Sequence, residues 1–405
     1  MARVYRYSAR DASGKHITGK MKAENDGEVH SKLRSMGLQP LSLTVVKGES
    51  GGLFGPPRVK PSELMIFTRQ FATMISAGIP VFECLSILQV QTGDRNFRKI
   101  LANITEKVRG GGDLSEAMKD FPNAFPRVYV NMIAAGEASG QLEEILLRLS
   151  DFIERSEKLK REIKSAMVYP VVSLTLVLGI TIVLLVFLVP KFKQMFLQLG
   201  VDLPLPTRIV LGISGVLTSY WMYILGFVIA LIVVFALYKR TENGAYNIDW
   251  LKMNLPVFGP LFSKVALSRF ARTFATLMRS GVPILGALDI VSGTVGNKVI
   301  ETVVMNAKQA VSEGEPLAKT LEGSNVFPHM LVRMVEIGER SGALESLLLK
   351  VADFYDEQVS ATVEGLTSLI EPVMLGIMGF LVGGIVLSIF LPILKLQKTL
   401  IQQVG

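Results

Sequence analysis

Two stretches of this chain repeat each other about 202 residues apart, and that repetition limits the possible folds more than any other feature. Phe67-Thr-Arg69-Gln-Phe71-Ala-Thr-Met-Ile-Ser-Ala-Gly78-Ile-Pro80 returns as Phe270-Ala-Arg272-Thr-Phe274-Ala-Thr-Leu-Met-Arg-Ser-Gly281-Val-Pro283. Gly136-Glu137-Ala-Ser139-Gly140-Gln-Leu142 returns as Gly338-Glu339-Arg-Ser341-Gly342-Ala-Leu344. Stacked repeats have periods of roughly 20–50 residues, so a period this long reads as one domain present twice.

What joins the copies is apolar. Residues 165–190, 209–238 and 372–394 contain no Asp, Glu, Lys, Arg or His and are rich in Leu, Val and Ile. About 20 apolar residues suffice to cross a hydrocarbon core, so each run predicts a membrane span. The amino terminus, Met1-Ala-Arg-Val-Tyr-Arg-Tyr, shows no apolar signal-peptide core, and Cys84 is the single cysteine. Both features favour a cytosolic first domain.

The chain divides on composition as follows. Residues 1–47 form a small α/β unit, with strands expected at Val4–Ala9, from Ile17 and over Pro40–Val46, and a helix over Asn25–Met36. Residues 48–60 are a Gly/Pro linker. Residues 61–166 and 239–366 are the two helical domains. Spans lie at 167–190, 209–238 and 367–394, with an outside loop at 191–208 and an outside tail at 395–405. In the first copy Ser62 is placed to cap a helix and Asp113-Leu-Ser-Glu116 has capping-box spacing. Gly78 and Gly281 suit helix ends, and Pro80 and Pro283 suit the first turns that follow. The repeat signature is thus Arg69, Gly78 and Pro80, mirrored by Arg272, Gly281 and Pro283.

Two crossings between the copies return the chain to its starting side, which puts both domains in the cytosol. Lys158, Lys160, Arg161 and Lys164 before the first span, and Lys239 and Arg240 after the second, agree with positive-inside bias. The third span runs against it, with Glu364 and Glu371 on the inner side and Lys395 and Lys398 outside.

The net charge of +8 is spread over the chain, and its one dense cluster, Lys158 to Lys164, suits phosphate headgroups of a lipid bilayer rather than nucleic acid. No Gly-x-x-x-x-Gly-Lys-Ser/Thr loop is present, and the three histidines, His16, His30 and His329, are scattered. No enzyme, cofactor or metal site is expected. Glu137 and Glu339 as an acid-base pair lack any converging polar partner. A transporter or channel subunit would need ionisable groups within the spans, and the nearest is Glu371, at the edge of the last one beside Pro372. Gly376, Gly379, Gly383 and Gly384 in the last span instead suggest close packing, on other spans or between copies. Gly136, Glu137, Ser139 and Gly140, with Gly338, Glu339, Ser341 and Gly342, read as a helix-turn-helix corner. The glycines would turn the chain, the serines cap, and the glutamates sit in a first helical turn. Two acidic corners on related domains could also dock a basic partner.

These motifs, in order and together, resemble the inner-membrane platform protein family shared by type IV pilus assembly and type II secretion (the secretion F and pilus assembly C family). Tyr169-Pro170, Val189-Pro190-Lys191-Phe192, Leu203-Pro-Leu-Pro206-Thr207, Leu255-Pro256-Val-Phe258-Gly259-Pro260 and Glu371-Pro372 add to the resemblance. The Leu-Pro-x-Pro-Thr region is closer to the pilus branch. Two departures stand out: Arg340 replaces Ala138, and Glu371 stands where the first copy has Tyr169. The resemblance implies an all-α integral membrane protein with two cytoplasmic six-helix bundles and three transmembrane helices. It implies a bacterial inner-membrane location with the N-terminus cytoplasmic and the C-terminus periplasmic. Its implied partners are a cytosolic hexameric assembly ATPase, pilins or pseudopilins, other inner-membrane assembly proteins and further copies of itself.

Overall fold

A computed structural model describes residues 3–10, 16–23, 39–46, 59–192 and 204–404. The expected helix over Asn25–Met36, most of the 48–60 linker and most of the 191–208 loop lie outside the described residues. The three expected strands are present as β1 (Arg3–Arg10), β2 (His16–Ala23) and β3 (Gln39–Val46). They form one antiparallel sheet in the order β2-β1-β3, with a register shift between Ser8 and Ala9.

The first bundle consists of α1 (Pro61–Ser76), α2 (Val81–Gln91), α3 (Arg95–Arg109), α4 (Leu114–Lys119), α5 (Arg127–Ser139) and α6 (Leu142–Val183). Its core is aromatic. The Phe67 ring centroid lies 5.5 Å from Phe71 and 5.4 Å from Phe97, and Phe125 lies 5.1 Å from Tyr129. Such tilted pairs contribute beyond the area they bury. Tyr129 is fully buried, which pushes its phenol pKa up, and Thr68 Oγ1 lies 3.2 Å from its hydroxyl.

α7 (Leu205–Ser219), α8 (Trp221–Tyr238) and α9 (Glu242–Asn254) lead to the second bundle. This consists of α10 (Gly259–Arg279), α11 (Ile284–Ser292), α12 (Lys298–Ser312), α13 (Leu317–Glu322), α14 (His329–Ser341) and α15 (Leu344–Val404). The two sets of six correspond one to one, as the resemblance implies. Phe270, Phe274 and Phe327 repeat Phe67, Phe71 and Phe125, with Phe270 and Phe327 5.0 Å apart. The start signals repeat too. Asp94 accepts hydrogen bonds from the amides of Asn96 and Phe97 at the head of α3, and Asn297 does the same for Val299 and Ile300 at α12.

Ser62 is not a cap. Pro61 already occupies the first turn of α1, where its missing N–H costs nothing, and Lys60 is the N-cap.

Among the described residues, three helices are long and apolar enough to cross a membrane: Leu142–Phe192, Trp221–Tyr238 and Leu344–Leu394. In the first, a π-helical turn over Leu184–Leu188 interrupts the α-helical pattern without ending the helix. Ser214 of α7 donates to the Leu185 carbonyl there at 2.5 Å, and Thr207 donates to the Ser388 carbonyl of α15 at 2.7 Å. Such insertions of a polar group typically accompany π-turns. The charge-free run 209–238 was expected as one span. It is instead two helices meeting at Tyr220, because α7 is anchored to α6 and α15 by those two bonds while α8 buries no residue against the chain.

The bundles pack side by side. Their buried apolar residues form one continuous cluster, and a smaller one joins Leu159 and Ile163 of α6 to Leu261, Val359 and Val363. Arg155 pairs with Asp353 at 3.0 Å, and Ser360 donates to Glu162 at 3.0 Å. Both partners are 198 residues apart, so α6 and α15 run parallel. Equivalent positions are about 202 apart, so one helix is advanced by about a turn.

Candidate functional site

The duplicated corner joins α5 to α6 and α14 to α15. Gly140 and Gly342 adopt φ of 69° and 70°, the left-handed conformation that ends a helix and that a side chain would strain. The Gln141 amide bonds the Gly136 carbonyl at 2.9 Å and Ala343 bonds Gly338 at 3.1 Å, closing the turn. Gly136 and Gly338 serve a different need. A Cβ at Gly136 would lie 3.2 Å from Leu142 Cα, and one at Gly338 would lie 2.7 Å from Leu344 Cα. The incoming and outgoing helices touch there, and only hydrogen fits.

Glu137 and Glu339 sit in the last turn of α5 and α14, not in a first turn as the sequence suggested. The helix continues through Ser139 and Ser341 until the positive-φ glycine stops it. Their carboxylates reach across to another helix. Glu137 accepts from the amides of Leu114 at 2.6 Å and Ser115 at 3.1 Å, the free N–H groups opening α4. Glu339 accepts from Leu317 at 2.7 Å and Ala318 at 2.9 Å at the head of α13. The expected capping box at Asp113 is therefore replaced: Asp113 is the N-cap residue, but its side chain makes no cap bond. A distant carboxylate caps the helix and also favours its dipole. Ser139 and Ser341 are not caps either. Each hydroxyl donates back four residues, to Ala135 at 2.8 Å and Ile337 at 2.7 Å.

Gly78 and Gly281 have φ of 80° and 79°. Pro80 and Pro283 stand one position before the helices they were expected to begin, as N-cap residues of α2 and α11.

The two repeat arginines anchor charge clusters that motif reading missed. Arg69 bonds Glu154 at 2.5 Å and Asp151 at 3.0 Å. Arg272 bonds Asp356 at 2.5 Å and Asp353 at 2.9 Å. Each cluster ties the first helix of a bundle to its last. The carboxylates recur at the repeat spacing, three residues apart on one face of α6 and α15, and comparing the copies for charge beyond their motifs would have found them. The copies differ in surroundings. The Arg69 side chain is 40% exposed and that of Arg272 only 7%. Thr273, Thr276 and Ser280 are likewise buried, whereas their counterparts Gln70, Thr73 and Ala77 are exposed. The cause is α6, which lies across α10, while among the described residues nothing covers the same face of α1. Glu154 is held below the usual carboxylate range by its bond to Arg69.

Gly376, Gly379, Gly383 and Gly384 do not pack on the other spans. Among the described residues, a Cβ at any of them would meet nothing within 4 Å. Cys84 is buried and its thiol pKa is pushed up by that burial, the setting of a packing residue. Among the described residues no three His, Cys, Asp or Glu side chains are grouped to hold a metal.

Family comparisons agree with the duplication. The model of the type II secretion system protein F family matches residues 67–190 and again 270–392, and the model of that protein's N-terminal domain matches 1–44. A type IV pilus assembly protein PilC of Thermus thermophilus is 42% identical over 98% of this chain and 99% of its own. The PilC of Myxococcus xanthus is 38% identical over 96% and 94%. A type II secretion system protein F of Xanthomonas campestris is 33% identical over 98% and 99%.

Proposed function

The chain belongs to the type II secretion system protein F family, and on that premise we propose that it is the inner-membrane platform of a type IV pilus assembly machine. The observation that carries the pilus branch is the higher identity to the PilC of Thermus thermophilus, 42%, than to the secretion protein of Xanthomonas campestris, 33%, at equal coverage of both chains. In this reading the chain is a mechanical coupler and catalyses nothing. Its two bundles face the cytosol, with Lys158, Lys160, Arg161 and Lys164 on the inner side and the C-terminus in the periplasm. A cytosolic assembly ATPase docks on the bundles, and pilins enter the filament beside the spans.

The long helices suit such coupling. Leu142–Phe192 runs 51 residues without a break, about 75 Å at 1.5 Å per residue, from the floor of a bundle through a span. A displacement of the bundle is carried to the outer end with no loop to absorb it.

The glutamate corners were candidates for the docking surface. Both oxygens of each carboxylate are engaged by backbone amides, which favours a role in holding α4 and α13 in place. The face of α1 around Arg69, uncovered among the described residues, is the better candidate for a partner.

Deleting the gene and examining sheared surface filaments beside the secreted protein profile tests the reading. Loss of pili with normal secretion is expected. Loss of secretion with intact pili would move the chain to the secretion branch, the second reading favoured by its similarity to the secretion protein.

A further inference from the structure

α6 and α10 do not close fully against each other where the bundles approach the membrane. They leave a cleft of about 370 Å³. Its cationic lining outnumbers its anionic lining. Arg155, Lys160 and Lys164 contribute from α6 and Arg269 and Arg272 from α10; Arg155 is paired with Asp353, Lys160 with Glu157 at 3.3 Å at the exposed rim, and the one carboxylate of the lining, Asp356, is already held by Arg272 at 2.5 Å. Lys164 forms no ion pair among the described residues, and Arg269 bonds only a neutral carbonyl, that of Val295 at 3.2 Å. Thr273 also lines the cleft, and its buried Oγ1 has no hydrogen-bond partner. Beside its lysines, α6 also presents an apolar stripe. Leu159, Ile163 and Met167 share one stripe of α6 at four-residue spacing and point the cleft towards the span.

Position completes the argument. The charge-free run of α6 begins at residue 165, so Lys160 lies about 8 Å below it along the helix. Headgroup layers are about 5–8 Å deep on each side of the hydrocarbon core. Lys160 and Lys164 thus fall at headgroup depth, with Arg269 and Arg272 across the cleft on α10, and the apolar stripe leads into the acyl region.

We propose that this cleft binds an anionic phospholipid, with the phosphate held by Lys160, Lys164 and Arg269 and an acyl chain lying along Ile163 and Met167. The lipid joins the last helix of the first bundle to the first helix of the second. The proposal rests on α6 entering the bilayer at residue 165 and is independent of the pilus assignment. Basic pockets on the cytoplasmic side of spans bind such headgroups by charge and shape together.

The test uses the full chain purified in detergent, with phosphatidylglycerol, phosphatidylcholine or inorganic phosphate added, read by native mass spectrometry and thermal unfolding. Phosphatidylglycerol is expected to remain bound and to raise the unfolding temperature, and phosphatidylcholine to do neither. The pair Lys164→Gln with Arg269→Gln should weaken phosphatidylglycerol binding roughly tenfold or more. Lys158→Gln, outside the cleft, should leave it unchanged. The exposed pair Lys160→Gln with Lys164→Gln gives the same readout if Arg269→Gln disturbs folding. Equal binding of both lipids, or undiminished binding by both double variants, overturns the proposal. Protection by inorganic phosphate equal to that by phosphatidylglycerol would leave an anion site and refute the lipid.

Discussion

Arg69 and Arg272 occupy the same place in two copies of one domain, and burial separates their energetic weights. Removing one partner of a buried ion pair strands the other charge and costs about 3 kcal/mol or more, whereas an exposed pair is worth under about 1 kcal/mol. Arg272→Ala leaves the half-buried Asp356 without its cation while Asp353 keeps Arg155, so it should destabilise the chain by about 1–3 kcal/mol, and Arg69→Ala by less than about 1 kcal/mol. Denaturant unfolding of the purified variants would show it, and equal losses would mean that the cover provided by α6 does not matter. The exposed cluster has its own signature in pH. Because the Arg69 bond holds the Glu154 pKa below its unfolded value, the stability it adds is present above about pH 4.3 and is lost as pH falls through the lower, folded pKa. Glu154→Gln should thus lower stability at pH 7 and flatten the acid limb of a plot of unfolding temperature against pH. An unchanged acid limb would exclude this carboxylate as a contributor.

At the scale of elements, the corners show what a sequence makes visible and what it hides. Gly140 and Gly342 announce a turn, because positive φ leaves glycine at a fixed place. Gly136 and Gly338 look the same on paper but answer to the crossing of two helices. Gly338→Ala should cost about 1–3 kcal/mol, since its Cβ would fall 2.7 Å from a backbone atom of α15 that cannot turn aside. Gly136→Ala, at 3.2 Å from Leu142 Cα, should cost less, and thermal unfolding of the two variants would rank them. The role of Glu137 was illegible for another reason. Its partners are 22 and 23 residues away, and a glutamate reads the same whether it faces water or a neighbouring helix end. Asp151 and Glu154 were hidden likewise, as acidic positions on a helix that looks solvated. The break at Tyr220 carries no Gly or Pro to mark it. It follows from Ser214 and Thr207 binding carbonyls 29 and 181 residues distant, which local patterning does not encode.

For the whole molecule, the duplication, the apolar runs and the unbroken passage from bundle to span were all legible, because each is a pattern along one stretch of chain. How one copy meets the other was not, since that surface is built from residues in which the copies differ, such as Arg155 against Glu357. The same limit applies to contacts between molecules, where Gly376, Gly379 and Gly383 give a direct test. Their three- and four-residue spacing puts them on one face of α15, and among the described residues nothing lies within 4 Å of a Cβ at any of them. The Cβ of a leucine at Gly383 therefore has open space among the described residues, and helix propensity favours leucine over glycine. Any loss it causes must come from a contact with another copy, where small residues let helix backbones approach. Gly383→Leu is expected to leave membrane insertion and unfolding temperature unchanged while weakening self-association about tenfold, measured by light scattering of the detergent-solubilised protein across a concentration series. An undiminished oligomer would mean that the glycine face lies against lipid, and self-association would then have to use another surface, the uncovered face of α1 among them.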